Sequence, residues 1–151
     1  MEIRNVPIQT NRNLSGGIVV KKNLFIALVI ALTLSACSPK ATTADDVISV
    51  WKNAGLEAEN TRPMTKDDYG MAPFVCEGTR FYIPSLGEDN GGRLFICEDE
   101  KDRDALSTYY DELGKKSALF FSWVFTKGNI VVQINGDLPE ETALKYQATI
   151  P

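Results

Sequence analysis

Few residues in this chain could carry bond-making chemistry. Its 151 residues hold three cysteines (Cys37, Cys76 and Cys97), 20 Asp and Glu, and no histidine. Without histidine there is no Ser-His or Cys-His nucleophile pair, no imidazole general base and no His-ligated metal. A cysteine thiolate would lack its usual activator as well. The segment Gly87-Glu88-Asp89-Asn90-Gly91-Gly92 gathers oxygen ligands and glycines. A calcium loop alternates its ligands and closes on a bidentate acid, so consecutive ligands read here as a hairpin connection. The charge run Glu98-Asp99-Glu100-Lys101-Asp102-Arg103-Asp104 sits where a helix would start, and acids there complement the helix dipole. No phosphate-loop or dinucleotide pattern occurs. The expectation is therefore no catalytic residue, no cofactor and no metal. A small carboxylate-based hydrolase is the enzymatic alternative, and it asks for a deep pocket with two acids of raised pKa. A net charge of −4 and a pI near 4.9 argue against nucleic acid as a partner, because phosphate binding needs a basic face.

The cysteine with the most specific surroundings is Cys37. Lys21 and Lys22 precede an apolar run from Leu24 to Leu34, and Ser35-Ala36 lead into the cysteine. The run is too short to span a hydrocarbon core of about 30 Å, and its flanks are those of a secretory signal peptide. Leu34-Ser35-Ala36-Cys37 resembles the lipobox of bacterial lipoproteins at all four positions. The resemblance implies a diacylglyceryl group on the Cys37 thiol and cleavage before it. Residues 1–36 then form the signal peptide. Acyl chains at about 0.8 kcal/mol per buried methylene would hold a small domain on the outer leaflet of the cell membrane, facing outside the cytoplasm.

Residues 1–20 lengthen the segment before the apolar run beyond need. Two starts fit: Met1 with a long n-region, or Val20 read from a GTG codon, which leaves 1–19 untranslated. Gly16-Gly17 would then be the shadow of a ribosome-binding site. Residues 37–43 read as the lipidated cysteine followed by a small, polar, Pro-containing tether that reaches about 20 Å when extended. Removing 1–36 takes away four basic residues (Arg4, Arg12, Lys21, Lys22) and one acid (Glu2), which moves the net charge from −4 to −7.

The remaining cysteines, Cys76 and Cys97, lie near the ends of two strands, and an exported location permits a disulfide between them. A register error of one to three residues would put them beyond bridging distance. A disulfide and two buried thiols both stay open.

The exported domain, 44–151, reads as a series of short elements. Thr43 caps a helix with Asp46 three residues on, and Val47, Ile48, Trp51 and Ala54 share one face. Gly55 stops it, with Leu56 folding back on Trp51. Residues 57–78 read as a wrapped surface connection containing one short turn, Lys66–Tyr69, ended by Gly70. Strands 79–83 and 93–97 flank the 84–92 loop. A second helix runs from Glu100 to Leu113, with Gly114 as its stop. A hairpin follows, Leu119–Phe125 and Ile130–Asn135. A turn at Lys127-Gly128 would pair Phe125 with Ile130, Trp123 with Val132 and Phe121 with Ile134. Pro139 opens a last helix to about Ala148. The expected fold is α+β: an antiparallel sheet of about four strands with helices mainly on one face. Its order is helix-strand-strand-helix-strand-strand-helix, which suggests two equivalent helix-strand-strand units.

The domain also resembles a group of small Bacillus-type membrane lipoproteins of unassigned activity, some labelled stress proteins. The segments that carry this are Met64–Gly70, Ile83–Asp89, Tyr109–Lys115 and Gln133–Leu138, within 45–147. The resemblance brings no mechanism. The reading is a membrane-anchored, non-enzymatic binding or interaction domain with an unknown protein partner. Besides the hydrolase, the alternative is a partner-blocking inhibitor or immunity-type protein. That alternative needs exposed aromatics on an open sheet face including Phe120 and Val124, and a helix over them removes it.

Overall fold

A computed structural model of the chain describes residues 41–151. The residues read above as signal peptide, as lipobox with Cys37 and as the first part of the tether, up to Lys40, lie outside them. The fold is α+β, with helices α1 (Ala44–Asn53), α2 (Lys66–Tyr69), α3 (Glu100–Lys116) and α4 (Glu140–Ala148). The strands are β1 (Glu59–Pro63), β2 (Glu77–Tyr82), β3 (Gly91–Ile96), β4 (Ser122–Lys127) and β5 (Ile130–Asn135). They form one antiparallel five-stranded sheet in the order β1-β2-β3-β5-β4.

The fifth strand corrects the expectation of four. Glu59–Pro63 is exposed throughout, holds a proline and shows no apolar alternation, so nothing in its pattern announces a strand. It pairs along the edge of β2 with a bulge between Glu59 and Arg62, and Asn60 has φ 48°.

A second correction concerns the layers. The helices cover both faces of the sheet. On the first face Phe81, Leu94, Phe125, Ile130, Val132 and Ile134 pack against Trp51 of α1 and Tyr146 of α4. The Trp51 indole is fully buried and donates to the Tyr146 carbonyl at 3.3 Å. On the second face Phe95 and Val131 pack against Leu106 and Tyr110 of α3, with Tyr69 and the two cysteines beside them. The central strands are thus apolar on both sides: all of Ile130–Ile134 is buried. The two helix-strand-strand units are consequently not equivalent, since α1 lies on one face and α3 on the other.

Local signals act largely as their chemistry requires. Thr43 and Asp46 form a reciprocal capping box on α1. Gly55 (φ 76°) ends the helix, and the Leu56 amide reaches back to the Trp51 carbonyl at 2.9 Å. Asp99 caps α3 by accepting from the Asp102 amide. However, α3 runs through Gly114 to Lys116 rather than stopping there. The hairpin turn is Gly128-Asn129, so Phe125 faces Val132 and Trp123 faces Ile134. This is a slip of two residues from the expected pairing. A two-residue slip keeps every side chain on its face, so the alternation could not distinguish the two registers. Gly128 at φ 57° supplies the positive φ that a primed turn needs. Strand β4 starts only at Ser122, because 118–120 form a 3-10 turn.

Candidate functional site

Helix α3 covers only part of the second sheet face. Beyond Tyr110 the face continues as the floor of a cleft of about 500 Å³. Its floor is polar and built on register. Arg80 stands opposite Arg93, and Arg93 opposite Gln133, on three neighbouring strands. Ser122 and Asn135, themselves paired, extend the floor toward the β4 edge. Tyr109, Tyr110 and Leu113 of α3 form one wall, and Tyr69–Met71 and Ala118–Phe121 form the others.

Gly136 lets the Phe121 wall approach by lacking a Cβ, and Gly114 lies beside it. A Cβ on Gly136 would meet the Phe121 carbonyl oxygen at 2.5 Å, and one on Gly114 would meet the Phe121 Cα at 3.4 Å. The backbone at Phe121 therefore runs tightly against Gly136 and passes close to α3.

The arginines differ in how they are satisfied. Arg62, opposite Arg80 on β1, holds Asp68 with two hydrogen bonds of 2.7 and 2.8 Å. These bonds keep the Asp68 carboxyl well below the usual carboxylate range, and the Thr65 amide and hydroxyl add to the effect. Arg80 and Arg93 have no ion pair among the described residues. Arg80 donates to the carbonyls of Asp89 (2.9 Å) and Gly92 (3.4 Å) and lies 5.3 Å from the Tyr82 ring. Arg93 donates to the Gln133 Oε1 at 2.7 Å, while its buried Nε–H has no acceptor among the described residues. Burial pushes the Arg93 guanidinium below its ordinary range, with the charge of Arg80 adding and Tyr110 opposing. An arginine in a protein nevertheless stays protonated, so the charge remains.

The cleft mouth exposes apolar side chains. Leu119 is 84% exposed, Met71 86% and Phe120 52%. Val124, by contrast, packs against the cluster beneath α3. The exposed patch expected to include both residues therefore holds Phe120, while Val124 is half-buried against that cluster.

Cys76 and Cys97 form a disulfide at the other end of the same two strands. Glu77 pairs with Ile96, so the next step of the ladder brings Cys76 opposite Cys97, with 4.5 Å between their Cα atoms. The bridge ties the segment before β2, whose Cys76 carbonyl accepts from the Tyr69 hydroxyl at 2.6 Å, to the sheet.

The hydrolase reading requires two acids together. Among the described residues Asp137 is the one carboxylate lining the cleft. Asp68, Glu112 and Glu141 are all shifted downward, each by a hydrogen bond from a cation. No group of three Cys, Asp or Glu among the described residues is placed to hold a metal ion. The run Glu98–Asp104 is accounted for as a cap and by the Arg103–Asp104 pair at 2.8 Å. The 84–92 segment is a hairpin connection closed by the Ile83 amide on the Asn90 carbonyl. A second cleft of about 520 Å³ includes Arg62, Glu88 and Asp89, but its arginine is already committed to Asp68.

Sequence reasoning singled out neither Arg80, Arg93 nor Gln133. The available signal was an arginine inside each of two apolar strands. Comparison with protein-family models, with curated proteins and with solved structures gave no match. No helix among the described residues is long and apolar enough to cross a membrane.

Proposed function

We propose that this chain is a lipid-anchored extracytoplasmic protein whose domain binds a ligand without transforming it. Cys37 carries the lipid at the outer leaflet of the cell membrane, and residues 38–43 tether the domain. The observation that carries the binding reading is the cleft on the second sheet face. Its volume of about 500 Å³ lies in the range of small-molecule sites, and polar groups converge on its floor beneath an apolar mouth. A single carboxylate in its lining among the described residues, with no histidine in the chain, favours binding over acid–base turnover.

Two experiments test the two halves. Palmitate labelling of wild type and Cys37→Ala tests the anchor, and equal labelling refutes it. Native mass spectrometry of the full chain, extracted in mild detergent, tests the cleft. Wild type should retain a small molecule that Ser122→Trp, with its indole filling the cleft, does not. Bare protein in both cases contradicts the binding reading.

A further inference from the structure

We infer that the cleft takes an organic anion, a carboxylate or phosphate on an apolar body, held by Arg80 and Arg93. The inference rests on the binding reading above and names the chemistry of the ligand.

Three observations carry it. First, Arg80 and Arg93 are directly opposite on adjacent strands. Like charges so placed repel, and an anion between two guanidinium forks would convert that repulsion into two charge-assisted contacts. Second, the cations are left without a counter-charge although carboxylates are plentiful. Arg62, in the same cross-strand row, has its own in Asp68, whereas neither Arg80 nor Arg93 is ion-paired among the described residues. Arg93 is also held half-buried with an unmet Nε–H, and its bond to Gln133 occupies the acceptor of that amide. The two Gln133 amide hydrogens, which have no acceptor among the described residues, add donors of the same sense. Third, the mouth above this floor exposes Met71, Leu119 and Phe120. An apolar body would cover them, while among the described residues one carboxylate, Asp137, stands in the lining against the two arginines.

The test is calorimetric titration of the full chain in non-ionic detergent. The probes are hexanoate and hexyl phosphate, and the controls are hexanol and hexylammonium. Both anions should bind about tenfold or more tighter than hexanol, and more weakly at high salt. Arg80→Gln and Arg93→Gln should each weaken the anions about fivefold or more, and Arg62→Gln should leave them unchanged. If Arg93→Gln does not fold, Arg80→Gln and the salt dependence still decide the matter. Displacement of hexyl phosphate by lysophosphatidylglycerol but not lysophosphatidylcholine assigns a lipid headgroup as the source. Failure of both lipids to displace it assigns a soluble anion. Anion affinity unchanged in Arg80→Gln, or hexanol binding as tightly as hexanoate, overturns the inference while leaving the binding reading intact. If none of the probes binds, the inference is also overturned. The binding reading itself falls only if the extracted protein carries no molecule.

Discussion

Arg80 and Arg93 face each other across β2 and β3, and neither is ion-paired among the described residues. Like charges directly opposite in a sheet cost on the order of 0.2–1 kcal/mol. One strand further out the same row solves the problem locally, because Arg62 is clamped by Asp68. The fold thus supplies a counter-charge at the sheet edge and withholds it at the floor of the cleft. Groups left strained or unpaired in an otherwise consistent fold are where function is expected.

The Asp68 clamp predicts a specific acid response. Hydrogen bonds from Arg62, then from Thr65, hold the folded carboxyl below its ordinary 3.8. A carboxyl depressed by folding stabilises fully above its unfolded pKa and loses that contribution as pH falls toward its folded one. Urea unfolding of wild type and Asp68→Asn should show an advantage for wild type at neutral pH that shrinks below 3.8. A difference that stays constant down to strongly acidic pH would contradict the pairing.

The Cys76–Cys97 bridge closes a loop with a sequence separation of 21. Opening it by replacing both cysteines with alanine should cost about 3 kcal/mol. Chemical denaturation with and without reductant checks this. Reductant should lower the midpoint of wild type and leave the double variant unmoved.

Two glycines should behave differently under the same change. In Gly92→Ala the new Cβ runs into the Phe81 ring and lies 2.6 Å from the Gln133 carbonyl oxygen. The backbone acceptor cannot move aside cheaply, so the cost should be about 2 kcal/mol or more. Gly128→Ala meets nothing within 4 Å and carries only its positive φ of 57°. Its cost should be about 1 kcal/mol. Thermal midpoints of the two variants give the ranking, and the reverse order would show that the β2-β3-β5 register is wrong.

Tyr146 should titrate late. Burial, with the charge of Glu57 adding, pushes its phenol up to about 12. An acid raised by folding stabilises fully below its unfolded value, here 10.0, and that stability is lost as pH rises through 12. Ultraviolet titration of wild type against Tyr146→Phe should show one tyrosine missing from the high-pH end only. The same variant loses a 2.6 Å hydrogen bond to the Glu57 carbonyl and should be destabilised by about 1 kcal/mol.

The parts of the fold legible in the sequence are those whose information is local. The Thr43–Asp46 capping box, the Gly55–Leu56 helix end and the apolar alternation of 130–134 each act within a few residues of themselves. What was hidden depends on partners far along the chain. Edge strand β1 is polar because it has no buried face, so it carries no periodicity to read. Gly114 looks like a stop, yet the helix continues through it to Lys116. Two-sided burial of the sheet is present in the sequence as Phe120, Val124 and Val131 opposite the apolar stripe, but that pattern also fits an open face. The cleft was least visible of all. Arg80 and Arg93 are 13 positions apart, and only the exact β2-β3 register makes them neighbours.

The most direct measurement is the arginine side-chain spectrum of the full chain during addition of hexyl phosphate, followed through the Nε–H signals in a nitrogen–proton correlation experiment. Arg62, already held by Asp68, is the internal control. The account predicts that the Arg80 and Arg93 signals move together and saturate while that of Arg62 stays in place. Signals of all three that stay still, or that drift alike without saturating, would contradict it.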